Sequence, residues 1–368
     1  MSNFAVTAKR LTIRAHSGAD RLELADVDLF QAVVNKGEYV SGDIAIYIPE
    51  SAVLPDALIK EIGLEGKLAG PHHNRVKAIR LRTELSQGVV CRPSALAGVD
   101  MEAALEAQTD FADELGIIKW IPEVPANMSG ELFAAPRLLP WVEIDNVKAH
   151  PGAFVPGEAC EASEKAHGSA CLASLDLFAT EPTEAFLVSS KGQGSRKLAI
   201  KEDLDNLYWR AARLHDMEAK MRAMAASLST RENPVVRLGV FGEVYGLVQD
   251  LHYGITSRNT PGLAVFDAFV ERTQDQGRWL DQSELRALAS QFDLDMVPTL
   301  YAGPYDYAAL CAVAEGPSVL GAGANIREGV VVRPAHERYS PELGTRLIVK
   351  FVSGAYLTRG NEDATEYE

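Results

Sequence analysis

Hydrophobic and polar positions alternate in short runs over the first third of the chain: AVTAKRLTIRA, EYVSGDIAIYIP, RVKAIRLRT and QGVVCRP, divided by Gly, Pro, Asp and Asn. A period of two buries one face of each run and leaves the other in water. Frequent turn residues then fold the runs back on themselves, so residues 1–118 are expected to form a small β-barrel. From 119 to 150 the stretch KWIPEVPANMSGELFAAPRLLPWVEI shows neither period and is dense in proline and aromatic residues. It reads as a connecting, partly extended segment. Beyond it the pattern mixes. Strands are expected at 185–190, 236–241, 263–270, 328–333 and 346–352, and helices at 203–226, 281–292 and 305–315, with Asp281 and Glu284 at capping-box spacing. The expected class is α+β, with a barrel at 1–118, a linker at 119–150 and a sheet-based domain at 151–368. There is no internal repeat, and the acidic tail Glu362 to Glu368 is expected to fray.

A chain of 368 residues, 47% hydrophobic, can bury two sizeable cores. No run approaches the roughly 20 apolar residues of a membrane helix, and MSNFAVTAKRLTIR lacks the apolar centre of a signal peptide. A cytoplasmic protein without a membrane partner is expected, and no feature points to an obligate protein partner. Cys91, Cys160, Cys171 and Cys311 are scattered, with no Cys-x-x-Cys, and read as reduced structural thiols. The formal charge of −15 argues against indiscriminate nucleic-acid binding, which rests on Lys and Arg contacts to phosphate. Binding of that kind needs local basic surfaces. The candidates are Lys9, Arg10 and Arg14; Arg75, Lys77, Arg80 and Arg82; and Lys191, Arg196, Lys197 and Lys201. An ordinary solvated face is the plainer reading for many of them.

Candidate chemistry starts from lysine. Lys-x-x-Gly should arise about once by chance in a chain this long, and it occurs at Lys60, Lys67, Lys165 and Lys191. Lys165 differs in its setting. EKAHGSACLASL places it in a short polar loop ahead of a long apolar run, and four patterns follow in order: VFGEVYGLVQDLHYG at 240–254, VFDAFV at 265–270, REGVVVRP at 327–334 and LIVKFVSGAYL at 347–357. This ordered set resembles the nucleotidyltransferase motifs of covalent ligases and capping enzymes. It is most similar to the Deinococcus-type ATP-dependent RNA ligases. The N-terminal GADRLELADVD, KGEYVSGDIAIYIPESAVLP and RVKAIRLRTELSQGVV look like that family's OB-fold, and LGIIKWIPEVPANMSGEL is similar to its linker.

The resemblance implies an N-terminal OB-fold barrel followed by an ATP-grasp-like adenylyltransferase domain, with ATP and Mg or Mn as cofactors. It implies that Lys165 carries AMP and that Glu164, Ala166, His167 and Gly168 flank it in the nucleotide pocket. Glu243 and Glu328 would hold the metal through water and contact ribose, Phe266 would stack on adenine, Lys191 would meet phosphate or ribose, and Lys350 would neutralise the α-phosphate. Two positions depart from the family pattern. His167 stands where aspartate is common, and Ile348 stands where a second lysine is common, leaving Lys350 or Arg346 to suffice. In the barrel, Lys77, Arg80 and Arg82 lie along one alternating run suited to duplex phosphates. Aromatics there are sparse, chiefly Phe30, Tyr39 and Tyr47.

The residue types suit the chemistry. A lysine attacks phosphorus only as the neutral amine, so its site must favour deprotonation, and neighbouring cations that do so also neutralise the departing pyrophosphate. The expected partner is a nicked RNA or RNA–DNA duplex with RNA on the 3′-hydroxyl side, joined through lysyl-AMP and a 5′-AMP-capped end. A DNA ligase, a capping guanylyltransferase and an inactive OB-fold nucleic-acid-binding protein are the rival readings. An OB domain ahead of the transferase domain weighs against capping, and intact Lys165, Glu243, Glu328 and Lys350 weigh against inactivity.

Overall fold

The computed structural model describes residues 4–139, 141, 143–181, 185–322 and 325–360, so the acidic tail lies outside the described residues. The chain forms two compact units, the first from Met1–Ile121, Asp145–Pro151 and Gly354–Asp363, the second from Pro122–Ile144, Gly152–Ser353 and Ala364–Glu368. The proline-rich tract is thus shared between them. Its Leu138 and Leu139 are wholly buried against Leu172, Leu187 and Phe241 of the second unit.

The first unit is an OB-fold built from β1 (Thr7–Arg10), β2 (Thr12–Ala15), β3 (Leu22–Val27), β4 (Phe30–Asn35), β5 (Ile44–Ile48), β6 (Ile79–Leu81), β7 (Glu84–Ser86) and β8 (Val89–Cys91). Strand β5 lies between β1 and β8, and β3 between β2 and β4. Alternation along β5 sends Ile46 and Ile48 into one apolar cluster and Ala45 and Tyr47 into another, so this central strand is buried on both faces. Tyr39 and Tyr47 are core residues, which removes them as a stacking platform for bases. The basic run is not one strand. Only Arg80 lies in β6, while Arg82, with φ 57°, opens the two-residue turn into β7 and Lys77 precedes β6. A positive φ reverses the chain here, so the expected alternation stops at Leu81.

In the second unit the strands are β9 (Leu132–Ala134), β10 (Ala159–Glu164), β11 (Gly168–Asp176), β12 (Phe186–Ser190), β13 (Leu198–Ile200), β14 (Val235–Tyr245), β15 (Gly262–Arg272), β16 (Arg278–Trp279), β17 (Thr299–Pro304), β18 (Gly329–Pro334) and β19 (Val349–Val352). A large antiparallel sheet runs β9-β13-β12-β11-β14-β15-β16, and a second runs β19-β18-β10-β17. The expected strand at 346–352 divides. Thr345–Arg346 pairs with Tyr339–Ser340, and only Val349–Val352 joins β18.

Among the described residues the unit also carries helices α1 (Lys191–Ser195), α2 (Leu207–Leu214), α3 (Met217–Leu228), α4 (Gln282–Gln291) and α5 (Tyr307–Ala314). The expected helix at 203–226 is two helices. Asp216 adopts φ 51°, a left-handed conformation that aspartate tolerates and that ends the α2 hydrogen-bond ladder, letting each helix turn its own apolar stripe onto the sheet. The capping box of Asp281 and Glu284 is present at α4. Among the described residues no helix is long and apolar enough to cross a membrane. The four cysteines are free thiols.

Alternation in the large sheet separates two faces. Cys171, Ala173, Leu175, Leu238, Val240 and Val265 pack with α2 and α3, while Leu172 and Phe241 pack the opposite way. Strand β15 carries a bulge in which Phe241 pairs Asp267 and Gly242 pairs Val265, so Phe266 has no partner in the ladder. The extra residue switches the alternation. Val265 and Ala268 both reach the helix-side core, and Phe266 and Phe269 both reach the other face.

Candidate active site

That second face opens into a cleft whose walls include Trp141, Lys165, His167, Glu243, Phe266 and Lys350. The loop carrying Lys165 spans the gap between β10 and β11 and is pinned by its backbone. Glu164 N–H donates to the Pro298 carbonyl at 2.8 Å, Lys165 N–H to the Gly329 carbonyl at 2.9 Å, and His167 N–H to the Tyr253 hydroxyl at 2.8 Å. Gly168 explains the last letter of Lys-x-x-Gly. A Cβ at this position would stand 2.1 Å from the Val244 carbonyl oxygen, a distance no side chain tolerates. Gly168→Ala must push β11 and β14 apart and is expected to lower unfolding free energy by about 3 kcal/mol. Urea denaturation reads this directly, and an unchanged midpoint would refute the steric account.

At the head of β18, Glu328 is buried at 1% exposure. One carboxylate oxygen accepts from the Lys165 amine, and the other lies 3.2 Å from Nδ1 of His167. The far side of the ring is also held, with Nε2 2.6 Å from Oδ1 of Asp250. Burial disfavours the imidazolium, yet hydrogen bonds and charge from Asp250 and Glu328 outweigh it, and His167 titrates above its ordinary value. Lys165, Glu328, His167 and Asp250 thus form one continuous hydrogen-bonded chain. Lys165 keeps 21% of its side chain exposed toward the cleft, so its amine is both held and reachable.

The other expected residues divide. Ala166, Gly168, Lys191, Glu243, Phe266 and Lys350 all line the cleft. Phe266 meets the Trp141 ring edge to face at 6.3 Å. Lys350 reaches the cleft from β19, opposite Val331. Lys191 opens α1 rather than a surface turn, and its amine lies 2.9 Å from Glu143. Glu164 borders the cleft, but its carboxylate accepts from the Val319 N–H at 2.9 Å and from the Ser318 hydroxyl, so it anchors residues 318–319 instead of presenting itself to a nucleotide. Arg346 does not replace the missing lysine. Its guanidinium is buried, 2.5 Å from Asp267, paired with Glu337 and laid over Trp279 at 4.1 Å, while Ile348 is 2% exposed. Of the two, only Lys350 faces the cleft.

Lys60 and Lys67, the decoy Lys-x-x-Gly matches, belong to the first unit and take no part in the cleft. Much of the suspected basic surface is spent internally. Lys9 pairs with Asp28 at 2.8 Å, Arg10 with Glu102 at 2.6 Å, Arg14 with Asp26 at 2.5 Å and Lys201 with Glu131 at 2.8 Å, and Lys197 donates to the Leu138 carbonyl. Arg80 and Arg82 are exposed.

Among the described residues no group of three or more His, Cys, Asp or Glu could hold a metal ion. The donor set fits a hydrated Mg or Mn, which takes one or two carboxylates and completes its shell with water and phosphate oxygens. Glu243 lines the cleft with a carboxylate of this kind. Glu328, expected to share the task, has both oxygens engaged by Lys165 and His167. Cys171, behind Glu243, is no rival nucleophile, since burial and the Glu243 charge push its thiol up to about 12.

Asp250, Tyr253 and Gln249, which donates to the Gly168 carbonyl, carry no motif of their own, although all three sit in VFGEVYGLVQDLHYG. Their grouping between two glycines was the available signal. Nothing local marked Trp141, which only the fold brings to Phe266.

With this geometry in hand, the family model described as RNA ligase matches residues 158–352, more than half of the chain, and an OB-fold domain model matches residues 5–93. No curated protein sequence matches. Among solved structures, the Naegleria gruberi RNA ligase with PPi is 21% identical with a TM-score of 0.74, covering 97% of this chain and 98% of that one. A lysine-to-alanine mutant of the same ligase with ATP and Mn is 21% identical with a TM-score of 0.73, covering 96% and 98%. At such identity these likenesses speak for the fold, which extends over both units.

Proposed function

Because the chain belongs to the RNA ligase family, we propose that it seals 3′-hydroxyl/5′-phosphate breaks in three steps carried by the cleft residues. The observation that carries this reading is the Lys165 amine held at the cleft by buried Glu328. In the first step the neutral amine attacks the α-phosphorus of ATP, an N–P bond forms, and the bond to pyrophosphate breaks. Phe266 and Trp141 supply an aromatic wall for the base. Lys350, on the cleft wall, would meet phosphate charge. Glu243 would hold a hydrated Mg or Mn, whose charge offsets that of the phosphates. AMP then passes to a 5′-phosphate end, and the 3′-hydroxyl attacks that end and releases AMP.

The substrate we favour is a nick in a duplex with RNA on the 3′-hydroxyl side, since a 2′-hydroxyl is a group a protein reads directly. Incubation with labelled ATP, denaturation and gel separation tests the first step, because only a covalent adduct survives. Labelling by GTP in place of ATP would point to capping. Nicks with RNA or DNA at each terminus then test the substrate.

The exposed Arg80 and Arg82 give a further expectation. Changing Lys77, Arg80 and Arg82 together to Ala should leave lysyl-AMP formation intact and weaken sealing about 10-fold or more at physiological salt, because each lost phosphate contact removes counterion release. The salt dependence of sealing should also flatten. Parental sealing across a salt series would remove this hairpin from the nucleic-acid surface.

A further inference from the structure

The residues 249–253 that follow β14 grip the lysine motif at three points. Gln249 donates to the Gly168 carbonyl, Tyr253 receives the His167 N–H, and Asp250 meets the His167 ring. The third contact gives the buried ring, 1% exposed, a second carboxylate besides Glu328. What Asp250 decides is direction. Without that contact the ring is held at Nδ1 alone, and a ring turned over about its Cβ–Cγ bond presents carbon in place of Nδ1 to Glu328. With Nε2 tied to Asp250 at 2.6 Å, Nδ1 must face Glu328 at 3.2 Å. The carboxylate held there on one oxygen keeps the other on the Lys165 amine.

Resting on the ligase reading, we propose that Asp250 is a positioning residue for lysine adenylylation. It sets the His167 ring, the ring sets the Glu328 carboxylate, and that carboxylate aims the nucleophile. The effect belongs to the rate of the first step, not to ATP affinity, because Asp250 is not among the residues lining the cleft.

The test uses the full chain and single-turnover lysyl-AMP formation with ATP and Mn, for Asp250→Asn, Asp250→Ala, His167→Gln and the double variant Asp250→Asn/His167→Gln. The expected result for Asp250→Ala is a rate constant lower by about 10–100-fold, with the ATP concentration at half-maximal rate little changed. Asp250→Asn keeps one acceptor oxygen and should lose less. The double variant should be no slower than His167→Gln, since the anchor has nothing to hold once the ring is gone. The reaction amplitude separates folding from positioning, because a purely structural loss shrinks the amplitude and leaves the rate constant at the parental value. That pattern, a parental rate constant in Asp250→Ala, or losses that multiply in the double variant would each overturn the proposal. A parent protein that takes no AMP would instead sink the ligase reading itself.

Discussion

Lys165→Ala is expected to abolish covalent AMP labelling by ATP. No other amine can take over. Lys191 lies against Glu143, and Lys350 stands on β19, two strands away from β10, which leads into Lys165. Covalent catalysis fails wholly when its nucleophile is removed, because the later steps have no intermediate to consume. Joining of an end that already carries 5′-AMP should persist in part, as that step does not use the amine as nucleophile. The fold should survive at some cost, since the side chain is partly exposed and no apolar core is lost, while buried Glu328 loses one partner and keeps His167. Labelled ATP and a pre-adenylylated nick, run side by side, check both halves. Covalent label on the purified variant would mean that another residue is the nucleophile.

The second large effect concerns Glu328. Glu328→Ala strips the Lys165 amine and the His167 ring of their shared carboxylate and leaves buried His167 facing a hole. Truncating one partner of a buried charged pair costs about 3 kcal/mol of stability, chiefly because the remaining charge is left uncompensated. Loss of the group that orients the nucleophile should slow lysyl-AMP formation by about 100-fold or more. Glu328→Gln separates the two effects. It keeps the shape and one acceptor oxygen, so stability should recover more than rate. Urea denaturation alongside single-turnover labelling gives both numbers. A folded Glu328→Ala protein that labels at the parental rate across a metal titration would show that the carboxylate is a structural plug.

Barrel and transferase grammar were readable because each depends on local order. Alternation in EYVSGDIAIYIP predicts β5, and the Asp281–Glu284 spacing predicts the start of α4, since both act over a few residues. The errors fall where a backbone angle or a distant partner decides. Asp216 divides a pattern that looks like one helix, Arg82 turns a run that looks like one strand, and the bulge at Phe266 appears only when β14 is laid beside β15. Arg346 looked like a spare phosphate cation. The positions of Asp267 and Glu337, 79 and 9 residues away in sequence, make it a buried structural arginine instead.

The sequence by itself determined the chemistry available: one lysine in a polar loop ahead of an apolar strand, two glutamates, an aromatic and a second lysine in a fixed order. Residue type and local spacing suffice for that, because nucleophile, carboxylate and aromatic plane are properties of single side chains. Tertiary structure decided which of these groups act on one another. Glu328 meets Lys165 across 163 residues and His167 across 161, and Asp250 meets His167 across 83. Contacts of that range depend on which strands lie side by side and in what register. A shift of one residue would turn each side chain to the opposite face of its sheet.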